Sequence, residues 1–385
     1  MASLALLVPV RSTEKHPSNP LAMEQRFLNF GALAVATYCE NNGHSARVID
    51  EYVLSNGDFC LELVGHFGKQ GPDAIGLSCI SAYSADRTRQ VIRDLKQAFP
   101  NALLLIGGQH FAGFWQQRFS AKMPGVDVLI SGEAEIATCQ VLDLLDRNLM
   151  PHKWTADVLP GNVWYTVGGI VRNGTGKPFV VNMDEVVIAQ YDLYPGSLKL
   201  FPSIEFSRGC KYACVFCANT SANRRNFRKA SAQFLKSAIE SLSSKSGRDP
   251  IAFYMQASDF VLNEDEAELF AETLGSMACN ARWRTEIRVD EMNHRSLKAL
   301  KSSGLSYLDI GLESASKSML KVMNKTPKPE TYLQKANDLL EAAKDLGIFT
   351  KVNYLIHPGD TPETVGNRRH GCSHESQSST ESLRE

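Results

Sequence analysis

No run of about eighteen apolar residues occurs anywhere in the 385 residues, so a membrane-crossing helix is not expected. Charge of one sign is lacking as well. With 41 Lys and Arg against 42 Asp and Glu, the balance gives no electrostatic case for a nucleic acid or an anionic membrane as partner, and a small-molecule or peptide substrate fits better. The apolar start, Leu4 to Val10, has no basic residue ahead of it and is too short to span a bilayer, so it reads as a first buried strand. Cysteine is present nine times, an odd number with only three residues clustered, which suits a reducing compartment, the cytoplasm, better than a disulfide-stapled secreted scaffold.

Those three cysteines are the sharpest local feature. In Ser207-Arg208-Gly209-Cys210-Lys211-Tyr212-Ala213-Cys214-Val215-Phe216-Cys217 they fall within eight residues, at spacings of four and three. A loop this short can turn three sulfurs toward one centre. Structural zinc wants four closed ligands, and no His lies within thirty residues on either side. An iron-sulfur cluster held by three thiolates leaves one iron open to another ligand. A disulfide or a buried-thiol loop is the plain alternative.

The spacing Cys-x-x-x-Cys-x-x-Cys, with Phe216 just before the third Cys, resembles the signature of the radical S-adenosylmethionine (SAM) superfamily. The resemblance implies a 4Fe-4S cluster on Cys210, Cys214 and Cys217. It further implies that the amino and carboxylate groups of SAM chelate the open iron, and that one electron cleaves SAM to a 5′-deoxyadenosyl radical. An external one-electron reductant of the flavodoxin or ferredoxin type is implied with it.

Length suggests about two domains. From residue 1 to 150, short apolar runs alternate with helical patterns: strands at Ala46–Asp50, Ala74–Cys79, Ala102–Ile106 and Val126–Ile130, with helices at Asn29–Glu40 and Ala85–Phe99. The fold class is α/β, a doubly wound, Rossmann-like first domain. Gly107 and Gly108 close a strand where a ligand can approach the backbone, an ordinary tight turn being the alternative. The order of elements, together with Gly107-Gly108-Gln109-His110 and Gly132-Glu133-Ala134-Glu135, resembles the cobalamin-binding domain that precedes the radical SAM domain in one large subgroup. Gly107, Gly108 and Glu133 are then the candidates beside cobalamin. The Asp-x-His-x-x-Gly loop that supplies a lower cobalt ligand is absent; the nearest His is His16, in Glu14-Lys15-His16-Pro17. No cobalt ligand is named.

Residues 151–200, broken by Gly161, Gly168, Gly169, Gly174 and Gly176, read as a linker with short hairpin-like strands. From 201 to 365, strands at Ser203–Phe206, Ile251–Met255, Trp283–Val289, Tyr307–Leu312 and Thr350–Ile356 alternate with helices, giving five units of an open partial (β/α) barrel where the resemblance implies six. Residues 366–385 are polar and Ser-rich and read as a disordered tail in place of the last unit, which suggests a truncated product.

Glu313, in Gly311-Leu312-Glu313-Ser314, resembles a family position near the SAM ribose and methionine; a helix-capping segment using Ser314 or Ser316 is the alternative. Arg288 could grip the SAM carboxylate two-pronged or be a surface charge. Asp259 and Pro358-Gly359-Asp360-Thr361 read as turn residues first, and Arg224, Arg225 and Arg228 as a solvated charge run. No general base is identified. The resemblance implies a radical SAM enzyme, with cobalamin-dependent methylation of an unactivated carbon in a small molecule or natural-product precursor as the leading activity. A ring-forming or methylthio-adding enzyme and an inactive truncated cluster- or cobalamin-binding paralogue are the alternatives.

Overall fold

The computed structural model describes residues 1–10, 27–54, 57–81, 84–111, 116–185, 188–217 and 226–361. His16, Arg224, Arg225 and the expected tail 366–385 lie outside the described residues.

The first sheet is built from strands with largely apolar, buried centres, as strands covered on both faces need. β1 (Ser3–Val8), β2 (Ser45–Asp50), β3 (Ala74–Ser78), β4 (Leu103–Gly107) and β5 (Val128–Ile130) run parallel in the order β2-β1-β3-β4-β5. Helices α1 (Phe30–Asn41), α2 (Phe59–Phe67), α3 (Ala85–Ala98), α4 (Phe119–Lys122) and α5 (Glu135–Asp146) connect them. Asn29 starts α1 by accepting from the Ala32 amide, and Asp58 starts α2 in the same way. The helix expected over Ala85–Phe99 turns an apolar stripe inward, with Val91, Ile92, Leu95 and Phe99 buried.

The short strands expected between 151 and 200 are β6 (Val163–Val167) and β7 (Ile170–Asn173), and they do more than link. They pair antiparallel onto β5 and complete a seven-stranded sheet. A hairpin signal specifies the turn; which sheet the hairpin joins is decided by edge pairing far along the chain. α2 escapes the sequence reading because it is short and buries only Phe59 and Leu63.

The second sheet has the order β13-β12-β11-β10-β8-β9. Here β8 (Ser203–Arg208), β10 (Ile251–Ala257), β11 (Ala281–Ile287), β12 (Leu305–Glu313) and β13 (Phe349–Tyr354) are parallel, and β9 (Arg228–Lys229) is a two-residue antiparallel edge. Between them lie α6 (Ala232–Ser246), α7 (Glu264–Gly275), α8 (His294–Ser302), α9 (Lys317–Val322) and α10 (Pro329–Asp345). A capping box of Asn263 and Glu266 begins α7, and Gly247 in the left-handed conformation ends α6. Five parallel strands thus stand where five were expected.

The two sheets share one apolar core that includes Leu33, Tyr191, Phe206, Phe253 and Trp283. Backbone and side-chain bonds also tie them: the Leu28 amide donates to Phe201 O at 3.0 Å, and the Tyr191 hydroxyl to Ser203 O at 2.9 Å. No helix among the described residues is long and apolar enough to cross a membrane.

Candidate functional site

β8 delivers the chain into the cysteine loop through Gly209, at a φ of 75° that a Cβ would oppose. The loop is then pinned from outside. The Val215 amide donates to Met323 O at 3.1 Å, the Asn324 side chain donates to Ala213 O at 2.8 Å, and the Cys217 amide closes a turn on Cys214 O at 3.2 Å. Cys214 is buried, and Cys210 and Cys217 are half-buried.

Among the described residues, the one group of His, Cys, Asp and Glu ligand atoms gathered within 4.8 Å lies elsewhere, at His44, Cys139 and Asp143. The three loop sulfurs do not all lie within 4.8 Å of one another, so they are not gathered as three thiolates sharing one tetrahedral zinc would be, roughly 3.8 Å apart. That spread suits corners of a cluster. Burial pushes the Cys210 thiol up to about 11, and the Asp259 carboxylate and the other two sulfurs add to the rise. Burial raises Cys214 too, against the pull of Lys325 and Arg288. Cys210 and Cys214, thiols that resist ionising, need metal charge to hold them as thiolates, and with Cys217 on the same loop the residues present fit an iron-sulfur cluster.

Around the loop stand groups that the sequence left open or dismissed. Arg288 is no surface charge: it is 7% exposed and its Nη1 lies 3.7 Å from Cys214 Sγ. Nor does its fork await a carboxylate, because Nε and Nη2 close on Asp290 at 3.0 and 3.1 Å, Nη2 also donates to Lys325 O at 2.8 Å, and the guanidinium lies 3.6 Å from the Tyr212 ring centre. Asp259 is more than a turn residue. It is buried, accepts from Cys210 Sγ at 3.7 Å and has its carboxyl raised to about 6 by burial first and Glu291 second.

Glu313 ends β12 at a φ of 68°, where the β12–β13 register shifts. A non-glycine residue held there marks strain of the kind that gathers at functional sites. It is not the helix cap; Ser316 caps α9, and Ser314 accepts from the Ser316 amide. Its carboxylate accepts from Lys325 Nζ at 3.2 Å, a lysine only 6% exposed. Nothing in the Thr326-Pro327 neighbourhood signals that lysine from sequence. The Pro358–Asp360 turn is as expected, with Asp360 accepting from the His357 amide.

The second element of the site is a cavity of about 310 Å³ at the carboxyl ends of β3, β4 and β5. Gly107, Gly108 and Glu133 line it, together with Gly31, Ala32 and Val35 of α1, and Glu205, Arg208, Gly209, Gln256 and Ser258 close it from the second sheet. Gly108 is glycine for a packing reason: at a φ of 105°, a Cβ there would meet Cys79 O at 2.3 Å.

A buried charge network forms one wall. Arg208 reaches Glu135 at 2.5 Å, Glu205 at 2.8 Å and Glu133 at 3.5 Å. Arg228, expected to be solvated, instead pairs with Glu133. Burial by itself would raise Glu133, but the Arg228 bond, the Val181 amide at 3.1 Å and Arg208 outweigh it and hold that carboxyl below its ordinary value. Both Glu133 oxygens are therefore engaged by protein. The sequence signal for this network is Glu205-x-x-Arg208, two opposite charges in the strand directly before the cysteines.

A model of the radical SAM superfamily matches residues 204–368, and a model of the B12 binding domain matches residues 22–142. An uncharacterized methyltransferase of Pyrococcus horikoshii is 26% identical over 330 residues, covering 84% of this chain and 68% of that one. The hopanoid C-3 methylase of Methylococcus capsulatus is 26% identical over 357 residues, covering 89% of this chain and 64% of that one. The chain thus spans about two thirds of the length of these relatives. In fold it is similar to the radical SAM methyltransferase TsrM of Kitasatospora setae, solved with cobalamin and a [4Fe-4S] cluster bound, with a TM-score of 0.74 at 17% identity over 95% of this chain and 69% of that one. The α/β architecture, the cysteine loop at the end of the first strand of the second sheet, and the two family matches agree: the chain belongs to the radical SAM superfamily and carries a B12-binding domain ahead of its radical SAM domain.

Proposed function

We propose that this chain is a cobalamin-dependent radical SAM methyltransferase that methylates an unactivated carbon of a small molecule or natural-product precursor. In this reading residues 1–150 hold cobalamin, 151–200 connect, and 201–365 hold the cluster and SAM. The observation that carries it is adjacency: Gly209 lines the cavity and the next residue, Cys210, opens the cysteine loop. Two reactive groups held there share one space at the carboxyl ends of both sheets, where ligands of open α/β sheets and barrels bind.

When bound, the cluster supplies the electron that cleaves SAM and cobalamin supplies the methyl group. The chain does the positioning. Cys210, Cys214 and Cys217 would hold the cluster through three thiolates. Arg288 and Lys325 place positive charge beside Cys214, which favours its thiolate. Glu313, held in a strained conformation, accepts from SAM hydroxyl or ammonium groups. Gly107 and Gly108 offer backbone to cobalamin, and Glu133 braces the cavity wall through Arg228 and Arg208 and does not itself grip the ligand. The methylase and methyltransferase relatives favour methyl transfer over ring formation. An external flavodoxin- or ferredoxin-type donor delivers the electron, and a reducing compartment such as the cytoplasm suits the open cluster.

The test is anaerobic reconstitution with iron, sulfide and cobalamin, then reduction with SAM present. Formation of 5′-deoxyadenosine together with bound cobalamin supports the reading. A loaded cluster that leaves SAM intact sinks it in favour of an inactive paralogue, and protein that takes up no cobalamin removes the methyl-transfer step.

A further inference from the structure

At the opposite end of the first sheet, three ligand-type side chains converge. His44 stands between Gly43, just past α1, and the start of β2, so it lies at the amino-terminal edge of the strands. Cys139 and Asp143 are four residues apart on α5 and therefore share one face of it. α1 packs on α5 and brings the two together. The His44 ring nitrogen, the Cys139 sulfur and an Asp143 carboxylate oxygen lie within 4.8 Å of one another.

His44 is 3% exposed, and neither of its ring nitrogens has a hydrogen-bond partner. Nε2 is 3.3 Å from Asp143 Oδ1 and Nδ1 is 3.6 Å from Asp146 Oδ2. A charge-assisted bond to a carboxylate closes to about 2.7–2.9 Å. A buried imidazole left open on both sides requires an explanation.

We propose that His44, Cys139 and Asp143 bind one divalent cation of the zinc class, at a site separate from the cysteine loop. The donor set selects the metal: one imidazole, one thiolate and one carboxylate suit a borderline ion, and the sulfur disfavours calcium and magnesium. Thiolate and carboxylate together neutralise the ion's two charges, which a half-buried place requires. With Nε2 on the metal, Nδ1 faces Asp146, the carboxylate–histidine–metal arrangement that orients a ligating ring. Asp143 is half exposed, giving the ion a route in and leaving a fourth position to water. The ion ties the α1–β2 corner to α5 and, because the Met1 amino group pairs with Asp146 at 2.9 Å, to the first residue as well.

The zinc absorption edge reads zinc without interference from iron, so the full chain with its iron-sulfur cluster intact can be used, loaded with one equivalent of zinc and desalted. One zinc is retained per chain, with a first shell of one sulfur at about 2.3 Å and three nitrogen or oxygen atoms at about 2.0 Å. Cys139→Ser and Asp143→Asn each weaken zinc retention roughly 10–100-fold, while iron content and circular dichroism stay at the wild-type level. Asp143→Asn lies on the surface and guards against a folding artefact. Failure to retain zinc, a sulfur count other than one, or retention that survives Cys139→Ser overturns the proposal. The last two results would assign the metal to the cysteine loop or to the surface, and the first would leave His44 as a buried imidazole flanked by two aspartates with no ion between them.

Discussion

Arg208→Met removes a cation that touches three carboxylates at the meeting of the two sheets while keeping most of the side chain's apolar stem. The Arg208 side chain is 12% exposed, and those of Glu135, Glu205 and Glu133 are 5%, 14% and 10% exposed. Glu133 keeps Arg228, so the loss falls on Glu135 and Glu205. Taking one partner from a buried ion pair costs about 3–5 kcal/mol, because the other charge is left without compensation. At a urea slope of about 3 kcal/mol/M or more, the midpoint then falls by on the order of 1 M. The sign of the pH dependence follows from Glu205. Burial holds its carboxyl above the ordinary 4.5 even with Arg208 opposing the shift. A carboxyl raised in the folded state binds its proton more tightly there than in the unfolded chain, so stability falls as pH rises from 4.5 through the folded value. Removing Arg208 raises that value further. The gap between variant and wild type therefore narrows as pH falls from 7.5 toward 5, by up to about 1.4 kcal/mol per unit and per carboxylate. Adding Glu205→Gln to the variant recovers part of the loss at pH 7.5. Urea titrations followed by circular dichroism at several pH values check this. A midpoint within about 0.2 M of wild type, or a gap that widens on acidification, refutes the reasoning.

Gly108→Ala places a Cβ 2.3 Å from Cys79 O at a φ of 105° and costs at least about 2 kcal/mol, read as a lowered thermal midpoint together with reduced cobalamin uptake; an unchanged midpoint contradicts the close approach. Glu313→Gln removes one charge from the acceptor proposed for SAM, so the KM for SAM in 5′-deoxyadenosine formation rises roughly tenfold or more while iron content holds. Cys214→Ser, at the most buried of the three loop cysteines, strips the broad visible absorption of the cluster and its iron; iron retained at the wild-type level in that variant would end the cluster assignment.

The elements most legible in the sequence were those whose cause is local. Short apolar runs mark strands such as β1, β4 and β5, Asn263-x-x-Glu266 marks a helix start by itself, and the loop Cys210–Cys217 carries its chemistry in its spacing. What resisted reading depends on partners distant in the chain. Arg228 looks solvated until Glu133, 95 residues earlier, is folded beside it. Arg288 looks like a strand charge until Cys214, Tyr212 and Asp290 close around it. β6 and β7 look like a linker until β5 offers its edge. A glycine pair such as Gly107-Gly108 permits both a turn and a ligand approach, and only the position of the Cys79 carbonyl gives Gly108 its packing reason.

The buried charges between the sheets also bear on how two reaction partners can be held in register. The shared apolar core would join the sheets by itself, yet apolar contacts are non-directional and would tolerate sliding. A fixed set of partners would not. Arg208 sits one residue before Gly209 and two before Cys210, and its fork meets carboxylates from both the first sheet's domain and β8 itself. The Tyr194 hydroxyl on Asp50, at 2.5 Å, and the Leu28 amide on Phe201 O pin the same junction elsewhere. Buried ion pairs add little net stability compared with well-packed apolar residues, and their best-attested use is to specify one arrangement. For chemistry in which a radical carbon must meet a donor within bonding reach, a misplacement of about 1 Å can cost 100-fold in rate. A network that fixes the cavity wall and the cysteine loop through one arginine answers that demand, and it predicts that Arg208→Lys, which keeps the charge but loses the fork, retains both cofactors while slowing methyl transfer more than SAM cleavage.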